Sequence, residues 1–434
     1  MTESASSDSR GEASLVRVVV VALLPTLLFS IGQGAIIPII PTVAASMGAG
    51  LEFAGFIAGS IMIGQAFGNI PAGPVVSRLG EKWAMVGGAV LAVAGTLVST
   101  FAVTTWMLLA GILIIGFSSA IFGLARHAFL TTYAPLRYRA RVLSTLGGTL
   151  RAGLFVGPLL SAGIIAATGL AQMSFWIFVA CTVLVVVVLL VTPDTSDLAR
   201  GRGTPTGSIA VADGAIGDDG AVPANDEARA AHKPAPTNVW SALVEHRAVL
   251  LRLGVGAGIT NLLRGARNVV LPLWALSIGL DDSSTALIIG ISGAIDFCLF
   301  FTSGWIMDRF GRVWSAVPCM VGLGTGLLVL AFLHDVPGAV PWFVAIAIWL
   351  GVCNGIGSGI VMTLGADVAP RRRPAPFLGA WHLITDASSA SVPFIVAGVT
   401  ALFALPATVG TLGMLGLLGA FMMGRWIPRY IARP

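Results

Sequence analysis

Twelve apolar runs, each about as long as a membrane is thick, leave this chain few ways to fold. A helix of about 20 apolar residues crosses the hydrocarbon of a bilayer. The runs are continuous rather than alternating, which favours helices over barrel strands. Charged residues make up only 10% of the sequence, against about a quarter in soluble domains. The pattern predicts an all-α polytopic membrane protein. Its spans are expected at 16–40, 53–74, 83–103, 106–130, 141–167, 171–192, 250–277, 284–306, 313–333, 340–364, 375–402 and 404–427. Polar Met1–Ser14 precedes the first run, with no small-residue cleavage site after a short apolar core. That run is therefore expected to stay as a helix rather than leave as a signal peptide.

Basic residues fall on one side of this arrangement. Arg78, Lys82, Arg137, Arg139, Arg141, Arg309, Arg312 and Arg371 to Arg373 occupy alternate loops, with Arg429 and Arg433 in the tail. The opposite loops hold Glu52, Asp281, Asp282 and Asp335, and no Lys or Arg. Lys and Arg collect on the cytoplasmic side, so both termini are expected in the cytoplasm and the chain in the cell (inner or plasma) membrane. The excess of +5 follows from loop topology, and no nucleic-acid partner is expected. Residues 193–247 are rich in Gly, Ala, Pro and Asp and poor in aromatics. Such a segment buries too little apolar surface to offset its ordering entropy. It is expected to be a flexible cytoplasmic linker between a half at 1–192 and a half at 248–434. Cys181, Cys298, Cys319 and Cys353 lie inside apolar runs without metal-ligand spacing and are expected to be packing residues.

The two halves repeat. Pro38 and Pro272 differ by 234 positions, Gly80 and Gly311 by 231, Pro135 and Pro370 by 235, and Pro158 and Pro393 by 235. One loop frame also recurs, as Gly304-Trp-Ile-Met-Asp308-Arg309-Phe-Gly311-Arg312 and earlier as Gly73-Pro-Val-Val-Ser77-Arg78-Leu-Gly80-Glu81-Lys82. Gly304 permits close helix approach, Gly311 a tight turn, and Asp308, Arg309 and Arg312 put charges at helix ends. The frame resembles the signature that joins helices 2–3 and 8–9 in the major facilitator superfamily. The resemblance implies twelve helices in two pseudo-symmetric six-helix halves that rock about a central site. It also implies a charge lock between the halves at these loops, formed in one conformation and released in another. The first copy departs from the family pattern, with Ser77 where Asp is usual, so the lock is expected from Asp308.

In helix 5, Gly153, Gly157, Pro158 and the small pair Ser161–Ala162 follow a small-residue spacing. Small residues let helices pack closely, and a proline bends them. The run is similar to the helix 5 motif of antiporters in the superfamily, with Ser161–Ala162 in place of a Gly pair and Ser144 in place of the first Gly. The helix 4 arginine common in drug–proton antiporters would fall near Ile112 and is absent.

Each ionisable group at mid-bilayer costs on the order of 3 kcal/mol, so several together need a reason. Arg151 (helix 5), Asp386 (helix 11), Asp296 (helix 8), and Arg264 and Arg267 (helix 7) all lie at that depth. Arg151 and Asp386 each stand seven residues before a proline, Gln65 and Asp296 each eight before the motif glycine, and Gln33 matches Arg267. Polar groups at matching depth in both halves suit a single site at the repeat interface.

In the family, helices 1, 4, 7 and 10 line the cavity and helices 5 and 8 flank each other. Gln33, Arg264, Arg267 and Asn268 are accordingly expected to bind substrate, joined by Trp381 of helix 11 in the same space. Arg151, Asp296 and Asp386 are expected to carry protons or form central ion pairs. Three arginines against two aspartates leave about +1, which suits an anionic solute. The resemblance implies proton-coupled export of a small organic compound, a drug or metabolite, by antiport; the alternative is proton-coupled uptake of a small anionic nutrient by symport. A receptor or enzyme is a distant third, since no metal cluster, nucleotide-binding glycine loop or nucleophile–base set is present. The expected partners are a small-molecule substrate, protons and lipid, with no cofactor, and the chain is expected to act as a monomer.

Overall fold

The computed structural model describes residues 22–133, 139–192, 239–334, 336–370 and 374–431. Most of the expected linker, and the loops carrying Arg137, Asp335 and Arg371 to Arg373, lie outside the described residues.

Among the described residues twelve helices span the bundle. In the first half, α1 is Ala22–Ser46, with a 3-10 turn at Ile37–Ile39 where Pro38 interrupts the ladder. It is followed by α2 Leu51–Leu79, α3 Glu81–Thr100, α4 Thr105–Tyr133, α5 Arg139–Thr168 and α6 Met173–Val191. The second half holds α7 Val255–Ser277, α8 Asp282–Arg309 and α9 Val313–Ala331. Then come α10, broken into Ala339–Ile356 and Ile360–Val368, α11, broken into Pro374–Ala390 and Val392–Phe403, and α12 Leu405–Tyr430. The breaks were not expected, and each has a local cause. Gly357-Ser-Gly359 interrupts α10, with Gly359 left-handed at φ +78°. Pro393 removes a donor just after Ser391 in α11.

Eleven of these helices are long and apolar enough to cross a membrane, and α7 is not among them. The reason is its polar face of Asn261, Arg264, Arg267 and Asn268. Seventeen of its 23 residues are buried, so protein rather than lipid surrounds it. One correction concerns the expected linker, whose end at Val239–Glu245 is a short helix packed on α11, with Ala242 fully buried. Another concerns Cys298 on α8, which is exposed rather than packed.

Packing repeats with the sequence. Helix α4 packs on α2 and α3, and α3 on α6; six helices later α10 packs on α8 and α9, and α9 on α12. The halves meet most extensively through two equivalent crossings, α5 with α8 and α11 with α2, and α7 also touches α1 and α2. We call the face carrying Arg78, Arg309 and Arg429 the basic face, and that carrying Glu52 and Asp281 the acidic face. Toward the acidic face the halves close. A side chain on Gly59 would meet Pro393 at 2.7 Å, one on Gly290 would meet Leu159 at 2.7 Å, and the Ser283 hydroxyl donates to the Ala162 carbonyl at 2.9 Å.

Toward the basic face they do not close. Nothing lies within 4 Å of where a Cβ on Gly73 or Gly304 would sit. The motif glycines Gly80 and Gly311 do make the expected turns, at φ +79° and +92°. Among the described residues, close approach at Gly304 is absent in this conformation, and so is a charge lock between halves formed by Asp308, Arg309 or Arg312. Arg312 pairs with Asp367 at 2.9 Å and Asp308 at 3.5 Å, all three in the second half. Arg309 lies over Trp305 and Phe310, and Arg78 is exposed.

Candidate functional site

Because α7 is polar on one side and enclosed, its polar side must face space within the protein. Two adjoining cavities of about 490 and 290 Å³ lie there, sharing Asn261, Arg264 and Asn268. The larger runs between α5, α8 and α10 and is lined also by Arg151, Arg267, Asp296, Phe300, Asn354 and His382. The smaller lies between α2 and α11, lined by Gln65, Asn69 and Asp386.

Asp296 is the hub of the larger cavity. One oxygen accepts from Arg151 Nη1 at 2.5 Å, across the α5–α8 crossing. The other accepts from the Asn354 amide at 2.8 Å and lies 3.9 Å from Arg267 Nη1. A carboxylate this buried needs such partners, since an unpaired buried charge is costly. Arg151 also lies 5.3 Å from the Phe300 ring centroid, which helps fix its plane. Arg267 is buried and donates through its other amino group to the Ser292 hydroxyl at 2.9 Å, which in turn donates to the Ala347 carbonyl.

Arg264 is held differently. Breaking α10 frees its carbonyls, and a membrane interior has no water to satisfy them. Three side chains do so. Ser315 donates to the Ile356 carbonyl at 2.7 Å, Ser303 to that of Ser358 at 2.7 Å, and Arg264 to that of Gly357. Among the described residues no carboxylate pairs with Arg264, and its buried Nε has no partner. It is the cation of the site that is not neutralised.

In the smaller cavity Asn69 donates to Asp386 at 3.3 Å, the α2–α11 counterpart of the Arg151–Asp296 contact. Gly153 and Gly157 do not line the cavity. They press α5 onto α1, where side chains in their place would meet Ser30, Ile31 and Ala35. Pro158 does line it.

Two expected substrate residues stand elsewhere. Trp381 is 1% exposed, and its indole donates to the Val361 carbonyl at 3.1 Å, anchoring the second part of α10. An amphipathic aromatic serves packing as well as a ligand. Gln33 is partly buried on α1 and lines neither cavity. Sequence reasoning missed Asn354, Asn261, Ser292 and Asn69. It also missed Arg126 on α4, which is 6% exposed, lies 5.9 Å from the Phe122 ring centroid and has an unpartnered Nε.

Comparison with known proteins bears on what the cavity serves. The tetracycline resistance protein, class H, of Pasteurella multocida is 28% identical over 146 residues, 33% of this chain and 36% of that protein. The galactose-proton symporter of Escherichia coli (strain K12) is 24% identical over 195 residues, 45% of this chain and 42% of that protein. The chain thus spans less than half the length of either relative. Among solved structures, a D-xylose-proton symporter superposes with a TM-score of 0.67 at 17% identity, covering 96% of this chain and 98% of that one. A peptide transporter, POT, in complex with sulfate gives a TM-score of 0.71 at 13% identity, with 95% of each chain covered. At such identities the likeness carries the fold. A profile of the Major Facilitator Superfamily matches residues 22–393. With two six-helix halves that close toward the acidic face over a charged cavity, and that match over most of its length, the chain belongs to the Major Facilitator Superfamily and is a transporter rather than an enzyme.

Proposed function

We propose that the chain is a proton-coupled transporter of a small organic anion, with the basic face in the cytoplasm and both termini inside. The reading rests on one observation. Asp296 neutralises Arg151 and lies beside Arg267, while Arg264 lines the same cavity without a carboxylate. Arg264 is the receptor for the substrate's anionic group, and Asn261 and Asn268 supply neutral hydrogen bonds beside it. Leu150, Leu154, Ile289 and Phe300 face the rest of the molecule.

Coupling follows from charge. Protonating Asp296 removes the anion that holds Arg151 and Arg267, and raises the positive field felt by a bound anion. By linkage, a bound anion makes Asp296 take up a proton more readily. Proton and anion then travel together, which favours symport. Export by antiport, the mode implied by the helix 5 motif and by likeness to a tetracycline resistance protein, needs proton and substrate to compete. Asp386, which accepts from the Asn69 amide, offers a carboxylate for which a cationic solute could compete.

The test is transport in proteoliposomes against a panel of small carboxylates, with galactose and tetracycline alongside. Substrate added outside, with no imposed pH gradient, should acidify the lumen, read by a trapped pH dye. Alkalinisation would establish antiport, and movement of neutral sugar alone would end the anion assignment.

A further inference from the structure

At the basic-face end of α12, three guanidinium groups gather on one indole. Arg252 lies 4.4 Å from the Trp426 ring centroid, Arg429 5.0 Å and Arg425 5.3 Å. Arg252 also donates to the Tyr430 hydroxyl at 2.9 Å. These charges therefore lie within about one Debye length of one another, about 10 Å at 0.1 M salt. All three are exposed, and among the described residues none has a carboxylate partner. Three like charges held together without an acid call for an anion from outside the protein.

The surroundings say where that anion comes from. Leu251, next to Arg252, is 64% exposed. On the short helix Val239–Glu245, Trp240 is 73% and Val244 72% exposed, while Ala242 points inward. Exposed apolar side chains beside basic ones mark a surface that sits at the boundary between headgroups and acyl chains. An open groove of about 870 Å³, lined by Arg309, Trp314 and the Arg312–Asp367 pair, adjoins the cluster through Tyr430, with room for a headgroup.

We propose that Arg252, Arg425 and Arg429 on Trp426 form a binding site for the headgroup of an anionic glycerophospholipid in the adjoining leaflet. Holding against the indole restricts each guanidinium, so phosphate oxygens meet its N–H groups with little further ordering. The exposed Leu251, next to Arg252, enters the acyl region alongside. The site lies outside the central cavity and does not depend on the substrate or coupling assigned above.

The purified full-length chain, carried in mixed micelles of phosphatidylglycerol and phosphatidylcholine, would be re-isolated and its retained lipid quantified. Wild type should keep phosphatidylglycerol in preference to phosphatidylcholine. Each of R252Q, R425Q and R429Q should lower that retention by about fivefold, the weight of one basic residue near an anionic surface. The triple Arg→Lys variant should keep part of the preference, because charge remains while the stacked fork is lost. Inorganic phosphate at matched concentration should not displace the lipid; displacement would mean a phosphate site rather than a lipid site and would overturn the proposal. Equal retention of both lipids, or wild-type retention in R252Q/R425Q/R429Q, would overturn it too. Should that triple variant fail to elute as a single species, the single substitutions decide by the same two outcomes.

Discussion

Arg151 and Asp296 stand 145 positions apart in the chain and meet at 2.5 Å, tying one half to the other at mid-span. The pseudo-equivalent crossing pairs Asp386 with Asn69 at 3.3 Å. The same frame thus carries a salt bridge on one side and an amide–carboxylate contact on the other. The duplicated architecture is symmetric and its chemistry is not.

Removing either partner of the Arg151–Asp296 pair strands a charge in a largely buried place. Arg151→Ala and Asp296→Ala should each cost about 3 kcal/mol, and the double variant less than their sum. Thermal unfolding of the four purified proteins measures this. Strict additivity would show that the pair is not energetically coupled.

Arg264 and Arg267 should separate in their effects. Arg264→Ala removes a cation that pairs with no acid among the described residues, and should raise KM tenfold or more, from a lost charge-assisted contact of about 1.5–3 kcal/mol. Arg264→Lys should recover part of it. Arg267→Ala should mainly destabilise, since Ser292 and Asp296 both face it. Uptake kinetics set beside unfolding temperatures discriminate; a larger KM effect at Arg267 would reverse the assignment.

Gly359 has room for a methyl group, with Met307 at 3.9 Å as its nearest neighbour, yet its φ is +78°. Gly359→Ala should therefore cost about 1–2 kcal/mol from backbone strain alone and slow transport by disturbing the α10 break. Wild-type stability in that variant would mean the break relaxes freely.

Gly157→Ala drives a methyl into the backbone of α1 at Ile31 and Ala35, whereas Gly163 has nothing within 4 Å. The first should lose about 1–3 kcal/mol by overpacking and the second should be neutral or better. Equal unfolding midpoints would put α1 and α5 further apart than described.

Asp308 is 83% exposed at its side chain and makes one loose contact, to Arg312. Asp308→Asn should leave protein abundance and stability unchanged while slowing transport, because any inter-half contact it makes belongs to another conformation. Ser77→Ala should do much less. Unchanged transport in Asp308→Asn removes Asp308 from gating.

Much of the frame is legible in the sequence because lipid imposes it: apolar length gives the spans, and constant offsets give the repeat. Arg151, Asp296, Arg264 and Arg267 stand out because a charge in an apolar run is expensive. Asn354, Asn69 and Asn261 do not, since a neutral amide costs less and any polar span carries a few. Trp381 misleads because α11 is apolar on several sides, so periodicity cannot tell a cavity-facing indole from one packed under α10. The α10 break was written in Gly357-Ser-Gly359, but a run that continues apolar on both sides reads as one helix. Arg126 escaped notice by lying near the end of its run.

The composition of α7 also bears on how the protein is made. Two arginines near the middle of a helix cost roughly 2.5–3.5 kcal/mol each when it is offered alone to the bilayer, and its leucines and valines do not lift it into the apolar class of its neighbours. During biosynthesis α7 therefore depends on company. It can settle only once its polar face has Ser292 and Asp296 of α8 to meet, and Gly357 of the broken α10. The helix at the centre of the finished cavity is one whose arginines find these partners only on later-synthesised helices.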